Sequence, residues 1–278
     1  MTIDEIIIKS LREDIGEGDH TSLSTIPITA YGKAHLLVKE EGVLAGVDIA
    51  RKVFLHTDDC IIMNQFIADG ARVKAGDIAF EVSGPSISLL TAERTALNFM
   101  QRMSGIATQT RKMVDAIAGL PTKILDTRKT TPLLREFEKM AVRLGGGFNH
   151  RFGLYDMILI KDNHVDFAGG IEKAIDNCNE YMHHKGLRLK IEIETRNLAE
   201  VKLVLAYGGV NRIMLDNFSF EMLYQAVRLI GNTYETEASG GIDIHTIRQY
   251  AECGVDFISV GALTHHINSL DLSLKAIK

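Results

Sequence analysis

The sequence predicts an α/β fold: an open or incomplete parallel α/β barrel with a smaller N-terminal α/β sandwich domain. Six short apolar runs lie in the second half of the chain, at residues 123–129, 157–164, 190–195, 212–217, 235–241 and 257–261, and each ends in charged or small polar residues. Helix-forming segments at 133–144, 170–184, 198–206, 219–230 and 244–253 separate them. Runs of this length alternating with helices read as parallel strands joined by right-handed crossovers. The strands carry neither G-x-G-x-x-G nor G-x-x-x-x-G-K-[ST], which favours six or seven barrel strands over a doubly wound nucleotide-binding sheet. The C-terminal ends of barrel strands share one face, and that face is where barrel enzymes keep their active sites.

The elements ahead of the barrel follow from local pattern. Residues 4–13 place Ile6, Ile7 and Leu11 at helical spacing, and Gly16 and Gly18 stop that helix. Residues 34–39 and 78–82 read as strands of a small α+β unit, with glycine turns at Gly70 and Gly76 between them. Residues 86–120 read as two helices broken near Ser104-Gly105. The expected division is 1–107 for the N-terminal domain and 108–265 for the barrel, with the amphipathic tail 266–278 packing back on the first domain.

Composition narrows the function classes. The chain has 278 residues, 46% hydrophobic and 24% charged, with a formal net charge of -5. That balance, with no Trp and no aromatic-basic stripe, argues against a nucleic-acid partner. No apolar run is long enough to span a bilayer, so no membrane partner is expected. Cys60, Cys178 and Cys253 are scattered and never form C-x-x-C, and Met1-Thr2-Ile3-Asp4-Glu5 lacks the features of a signal peptide. A reducing, cytoplasmic setting is the expectation.

Against a net negative charge, clustered cations need a reason. Arg128 and Lys129 end the first strand and precede Thr130-Thr131, a set suited to a polyanion. Gly145-Gly146-Gly147 precede His150 and Arg151, and three glycines would let backbone N–H groups approach an anion. Lys161 and His164 follow the second strand. Glu194 and Asp216 end the third and fourth strands, suited to Mg²⁺ or ribose hydroxyls. Glu192 shares a strand side with Glu194 and reads as a charge inside the barrel. Ser239-Gly240-Gly241 and Gly261 follow the last two strands, the usual place for a phosphate cradle. Each has a blander reading: a solvated loop, a helix cap, an ion pair, an ordinary turn. Their convergence on one face favours a site that binds heavily anionic substrates. No Ser-His-Asp triad or activated cysteine is evident, so chemistry would come from positioning and charge stabilisation.

Taken together, Glu93-Arg94-Thr95-Ala96-Leu97-Asn98, Ser104-Gly105-Ile106-Ala107-Thr108, the 127–132 stretch, Asn149-His150-Arg151, Lys161-Asp162-Asn163-His164, Leu215-Asp216-Asn217 and Glu237-Ala238-Ser239-Gly240-Gly241 resemble the quinolinate phosphoribosyltransferase family over nearly the whole chain. The resemblance implies a glycosyltransferase of de novo NAD biosynthesis. It would join quinolinate to phosphoribosyl pyrophosphate with Mg²⁺, giving nicotinate mononucleotide, pyrophosphate and CO₂. It implies a homodimer with shared active sites. By the same resemblance Arg128, His150, Arg151 and Lys161 surround the quinolinate carboxylates, and Arg94 reaches in from the partner subunit. Lys129 lies near the phosphoribosyl donor, Glu194 and Asp216 take the ribose and metal positions, and Ser239, Gly240, Gly241 and Gly261 form the phosphate loops. One local departure is Pro132-Leu133, where relatives often carry glycine after the proline; it is expected to alter a turn. Two alternatives remain: a molybdenum-transport-associated relative, expected to replace Lys161, and a non-catalytic phosphosugar-binding protein, expected to lack Glu194, Asp216 or Lys129.

Overall fold

A reciprocal cap starts the first helix. The Thr2 hydroxyl accepts the Glu5 N–H at 3.2 Å, and Glu5 Oε2 accepts the Thr2 N–H at 2.8 Å. The helix is α1 (Ile3–Ile15); Ile6, Ile7 and Leu11 form its buried face, and Gly16 at φ 54° ends it. After the short α2 (His20–Thr25), β1 (Tyr31–Val38), β2 (Gly42–Val43), α3 (Val47–Thr57), β3 (Ile62–Gln65), β4 (Arg72–Val73) and β5 (Ile78–Pro85) follow. The structure, a computed structural model, describes residues 1–277.

The chain divides into two compact units. The first comprises Met1–Arg111, Thr130–Gly146 and the stretch from Leu263 onward; the second comprises Lys112–Lys129 and Gly147–Ala262. Residues 130–146 group with the first unit. The reason lies in their apolar face. Phe137 of the helix that follows residue 134 stacks on Phe99, with ring centroids 4.9 Å apart. Beside it the buried Glu138 receives Arg102 at 2.6 Å.

The first unit holds a four-stranded antiparallel sheet. Its edge strand is the tail, Leu272–Ile277, which runs antiparallel to β1; β5 and β3 complete the sheet. Phe80 of β5 meets Phe54 of α3 edge-on at 6.2 Å, and both are buried. The next element, α4 (Ser86–Ala116), is one continuous helix of 31 residues. The predicted break at Gly105 is absent. A Cβ at Gly105 would stand 3.0 Å from the carbonyl carbon of Asn268 and 3.1 Å from Cα of Ser269. Gly105 is therefore there for close backbone approach, at a helix-propensity cost of about 1 kcal/mol.

The second unit is built on a six-stranded, all-parallel sheet. Its elements, with those of the first unit interleaved, are β6 (Lys123–Leu125), α5 (Arg135–Leu144), β7 (Ile158–Ile160), α6 (Asp162–Ala168), α7 (Ile171–Lys185), β8 (Ile191–Thr195), α8 (Leu198–Tyr207), β9 (Arg212–Asp216), α9 (Phe220–Ile230), β10 (Glu235–Ser239), α10 (Ile247–Glu252), β11 (Phe257–Ser259), α11 (Ala262–His265) and the tail strand β12 (Leu272–Ile277). The order is β6-β11-β10-β9-β8-β7, so all six predicted strands form and the first pairs with the last. Among the described residues β6 and β7 share no ladder, and the ring stays open between them. An isolated bridge from Leu125 to Phe148 continues β6 on that side. The helix α6 was not expected from sequence; its first turn is closed by His164 Nδ1, which accepts the Lys161 N–H at 2.9 Å.

Candidate active site

Register decides which charges meet. Glu192 on β8 pairs with Arg212 on β9, and Arg212 pairs with Glu235 on β10. Side chains two apart on a strand share a side, so Glu192, Arg212, Glu235 and Glu237 converge on one face of the sheet. Arg212 Nη1 lies 2.8 Å from Glu237 Oε2 and 3.9 Å from Glu192 Oε2, and its Nη2 donates to Glu235 Oε2 at 3.0 Å. Its guanidinium also stands 3.9 Å over the Phe257 ring. Glu192 and Glu237 are fully buried. Burial, the largest cause, pushes each carboxyl up to about 7; for Glu237 the neighbouring Glu192 adds to it. Burial thus favours the protonated form of each carboxyl over two full charges side by side.

A loop leaves the open edge of the ring and lies above this cluster. The fully buried Asp126, just past β6, anchors it: Oδ2 accepts Asn149 Nδ2 at 2.5 Å and Oδ1 accepts the His150 N–H at 2.9 Å. Farther on, Asp156 accepts the Phe152 N–H at 2.6 Å and the Gly153 N–H at 2.8 Å. His150 links loop to cluster. Its Nδ1 accepts the Arg151 N–H at 2.7 Å, and its Nε2 lies 3.0 Å from Glu192 and 3.5 Å from Glu237. The Arg151 guanidinium donates to the Met157 carbonyl at 3.1 Å. Burial and the nearby positive charge of Arg128 lower its pKa, in that order.

The remaining candidates of this unit sit at strand ends. Arg128 and Lys129 follow β6, Lys161 follows β7, Glu194 lies on β8 and Asp216 ends β9. Glu194 is half-buried, and burial followed by the Asp216 charge raises its pKa, while Lys161 opposes the rise. Two carboxylates that repel each other at a strand-end face, with oxygen donors only, are a donor set that fits Mg²⁺. Ser239 closes β10, and its carbonyl accepts the Asn217 N–H at 2.9 Å. Gly240 and Gly241 follow at φ 104° and 59°, and Gly261 follows β11. Arg94, in the first unit, is exposed on α4.

Two readings change. Gly145 and Gly146 were expected to form an anion cradle with Gly147. Gly145 instead caps α5, and a Cβ there would stand 2.5 Å from the Ala107 carbonyl oxygen and 2.6 Å from Thr110 Cβ. Gly146, at φ 91°, lies beside the Arg111 guanidinium. Packing and helix termination within the first unit account for both. The sequence reading also passed over Asp126 and Arg212. A signal existed for the latter: Glu-x-Glu in both β8 and β10 puts acids at period two where buried strands are normally apolar.

Comparison with known proteins places this arrangement. Residues 19–104 match the quinolinate phosphoribosyl transferase N-terminal domain, and residues 106–275 match the C-terminal domain of the same family. The chain is 45% identical over 285 residues to quinolinate phosphoribosyltransferase [decarboxylating] 1 of Nicotiana glauca, covering 97% of this chain and 81% of that protein. It is 41% identical over 262 residues to the probable nicotinate-nucleotide pyrophosphorylase [carboxylating] of Bacillus subtilis, covering 94% and 89%. The crystal structure of NadC from Streptococcus pyogenes superposes with a TM-score of 0.94 at 41% identity, covering 99% of this chain and 97% of that one. With both domains matched, the chain belongs to the quinolinate phosphoribosyl transferase family.

Proposed function

We infer that this chain is a quinolinate phosphoribosyltransferase, an enzyme of de novo NAD biosynthesis that forms nicotinate mononucleotide, pyrophosphate and CO₂ from quinolinate and phosphoribosyl pyrophosphate. One observation carries the reading on structural grounds. Arg128 and Arg151 stand close enough for each to feel the other's charge, on strand ends that also bear Lys161 and Lys129. Cations held together in a partly buried place call for a polyanion, and a pyridine dicarboxylate fits such a set.

In this reading Arg128, Arg151 and Lys161 grip the two carboxylates and orient the ring nitrogen toward the ribose carbon. Lys129 lies against the pyrophosphate and takes up its charge as the bond to ribose breaks. The backbone N–H groups of Ser239-Gly240-Gly241 and Gly261 cradle the 5′-phosphate. Glu194 and Asp216 hold ribose hydroxyls and would hold Mg²⁺. Bound Mg²⁺ supplies charge neutralisation to the departing pyrophosphate. Once the nitrogen has bonded to ribose it is cationic. The adjacent 2-carboxylate can then leave as CO₂, its bonding electron pair staying on the ring carbon until a proton takes it.

The decisive assay supplies purified protein with quinolinate, phosphoribosyl pyrophosphate and Mg²⁺ and follows pyrophosphate and CO₂. Nicotinate is the control substrate. A monoacid leaves cations of the site without a partner, which is costly where they are partly buried, so little turnover of nicotinate is expected. Comparable turnover of both acids, or none of quinolinate, overturns the reading.

We further propose a cytoplasmic homodimer in which Arg94 serves the partner's site, with no nucleic-acid or membrane partner. The scattered thiols and the net charge of -5 support the setting, and among the described residues no helix is long and apolar enough to cross a membrane. Mixing inactive Arg94→Ala with inactive Arg128→Ala protein should restore activity towards about half per exchanged dimer, because one site then carries neither lesion. No recovery after subunit exchange, confirmed by mass spectrometry, would remove Arg94 from a shared site.

A further inference from the structure

Asn217 is one of two non-glycine residues with a left-handed backbone among the described residues; the other is Leu133. Asparagine tolerates φ 56° better than most L-residues do, so the turn between β9 and α9 explains its backbone. The turn does not explain its side chain. Nδ2 donates to Asp216 Oδ2 at 2.6 Å. The backbone N–H of the same residue donates to the Ser239 carbonyl at 2.9 Å, and Ser239 stands opposite Asp216 in the β9–β10 register. The amide is also seated against Gly240, where a Cβ would lie 2.6 Å from Asn217 Cγ. Buried neighbours hold the turn from both ends: Leu215 is 1% exposed and Phe218 is 2% exposed. Ser219 then caps α9 by accepting the Met222 N–H at 3.3 Å. One fixed residue thus touches both the carboxylate that ends β9 and the glycine loop that follows β10.

Adjacent strands lie about 4.8 Å apart. Here that spacing separates a carboxylate suited to sugar hydroxyls from a loop suited to a phosphate, a span comparable with one pentose 5-phosphate. We propose that Asn217 is a positioning residue: it sets Asp216 relative to the Ser239-Gly240-Gly241 loop, so that the ring hydroxyls and the 5′-phosphate of one ribose 5-phosphate unit are gripped together. The roles of Asp216 and of the loop rest on the functional reading above; the spacer role of Asn217 is additional to it. Two grips fixed at the right separation act on one ligand as a chelate, because the second contact forms without a further loss of translational freedom. A carboxylate left to rotate keeps both grips and loses that advantage.

The test measures dissociation constants of the full-length protein for ribose 5-phosphate and for methyl phosphate, which has the phosphate monoester without the sugar hydroxyls. The wild type should bind ribose 5-phosphate at least about tenfold more tightly. Asn217→Gly adopts the same backbone without strain and removes the amide. It should leave methyl phosphate within about twofold and weaken ribose 5-phosphate on the order of tenfold, the loss expected when one charge-assisted hydrogen bond no longer orients the site. KM for phosphoribosyl pyrophosphate should rise to a similar extent, while KM for quinolinate stays within about twofold. In an Asp216→Ala background the same replacement should have no further effect on ribose 5-phosphate, since Asn217 then has no carboxylate to set. Equal losses for both ligands, or an undiminished further loss in the Asp216→Ala background, would assign Asn217 to the phosphate loop alone and overturn the proposal. An unchanged affinity for ribose 5-phosphate overturns it too. If Asn217→Gly does not fold, Asn217→Asp, which keeps the shape and lacks the donor, decides by the same ratio of the two constants. A wild type that binds ribose 5-phosphate no more tightly than methyl phosphate overturns the proposal outright. A wild type that shows the tighter binding and does not turn over quinolinate refutes the functional reading and leaves the spacer role standing.

Discussion

Gly240 and Asn217 occupy space that neither could share with a larger neighbour: a Cβ on Gly240 would stand 2.6 Å from Asn217 Cγ and 2.9 Å from Asn217 N. Asn217 itself sits at φ 56° and donates from Nδ2 to Asp216 Oδ2 at 2.6 Å. Gly240, at φ 104°, therefore controls the orientation of a carboxylate on the neighbouring strand. Gly240→Ala should displace Asn217 and with it Asp216, lowering turnover on the order of a hundredfold. Steady-state kinetics beside a melting curve checks this; near-wild-type turnover would show that the loop yields without disturbing Asp216.

Leu133 has a left-handed backbone, φ 69°, and is 66% exposed. An L-residue with a branched side chain pays for that conformation, and here the side chain recovers little by burial. The expected altered turn after Pro132 is thus a strained one. Leu133→Gly should stabilise the protein by about 0.5–1 kcal/mol, the relief of strain exceeding the added freedom of the unfolded chain. Chemical denaturation measures it, and a loss of stability would contradict it.

Folding raises the Glu192 and Glu237 carboxyls from 4.5 to about 7. Between those values the folded chain holds more protons than the unfolded one. This contribution is fully present below the unfolded value and is lost as pH rises through the folded one. Glu237→Gln removes one of the titrating groups and leaves Arg212 its bond to Glu235. The melting temperature of this variant relative to wild type should therefore climb from about pH 5 to about pH 8. A difference that is flat or falls with pH would be inconsistent with buried, protonated acids.

Lys129 is exposed beside the half-buried Arg128 at the end of β6. Assigned to charge developing on the leaving pyrophosphate, it should matter most in the transition state. Lys129→Ala should cut turnover on the order of a hundredfold and change KM for quinolinate far less. The reverse pattern would move Lys129 to the acid-binding group.

How much of this was legible in the sequence depends on the range of the interaction. The six strands were, because buried parallel strands write themselves as short apolar runs and their helices follow at 3.6-residue spacing. The strand-end cations and acids were too, since they are local in sequence. Gly105 was misread because a helix-breaking residue and a close-contact residue look alike until the crossing backbone at Asn268 is known. The helix α6 was missed because it is 7 residues long and rests on a His164 cap rather than on a periodic apolar face. For the Arg212–Glu237 pair the Glu-x-Glu pattern of β8 and β10 signalled buried acids, but the partner, 25 residues away through strand register, was not named by it. Glu192 was read directly, as a charge in a strand with no solvent side.

The opening between β6 and β7 has a price in robustness. Elsewhere around the ring, each strand is sewn to its neighbours by main-chain ladders, which persist through most side-chain replacements. Across the opening the wall is residues 147–157. Apart from the backbone bridge at Phe148, its hold is written in individual side chains: Asp126, Asp156 and His150 each grip a particular peptide group. Drift in sequence is therefore cheap over most of the circumference and expensive along this arc. A library of random substitutions should find its intolerant positions crowded there, including at residues that touch no substrate.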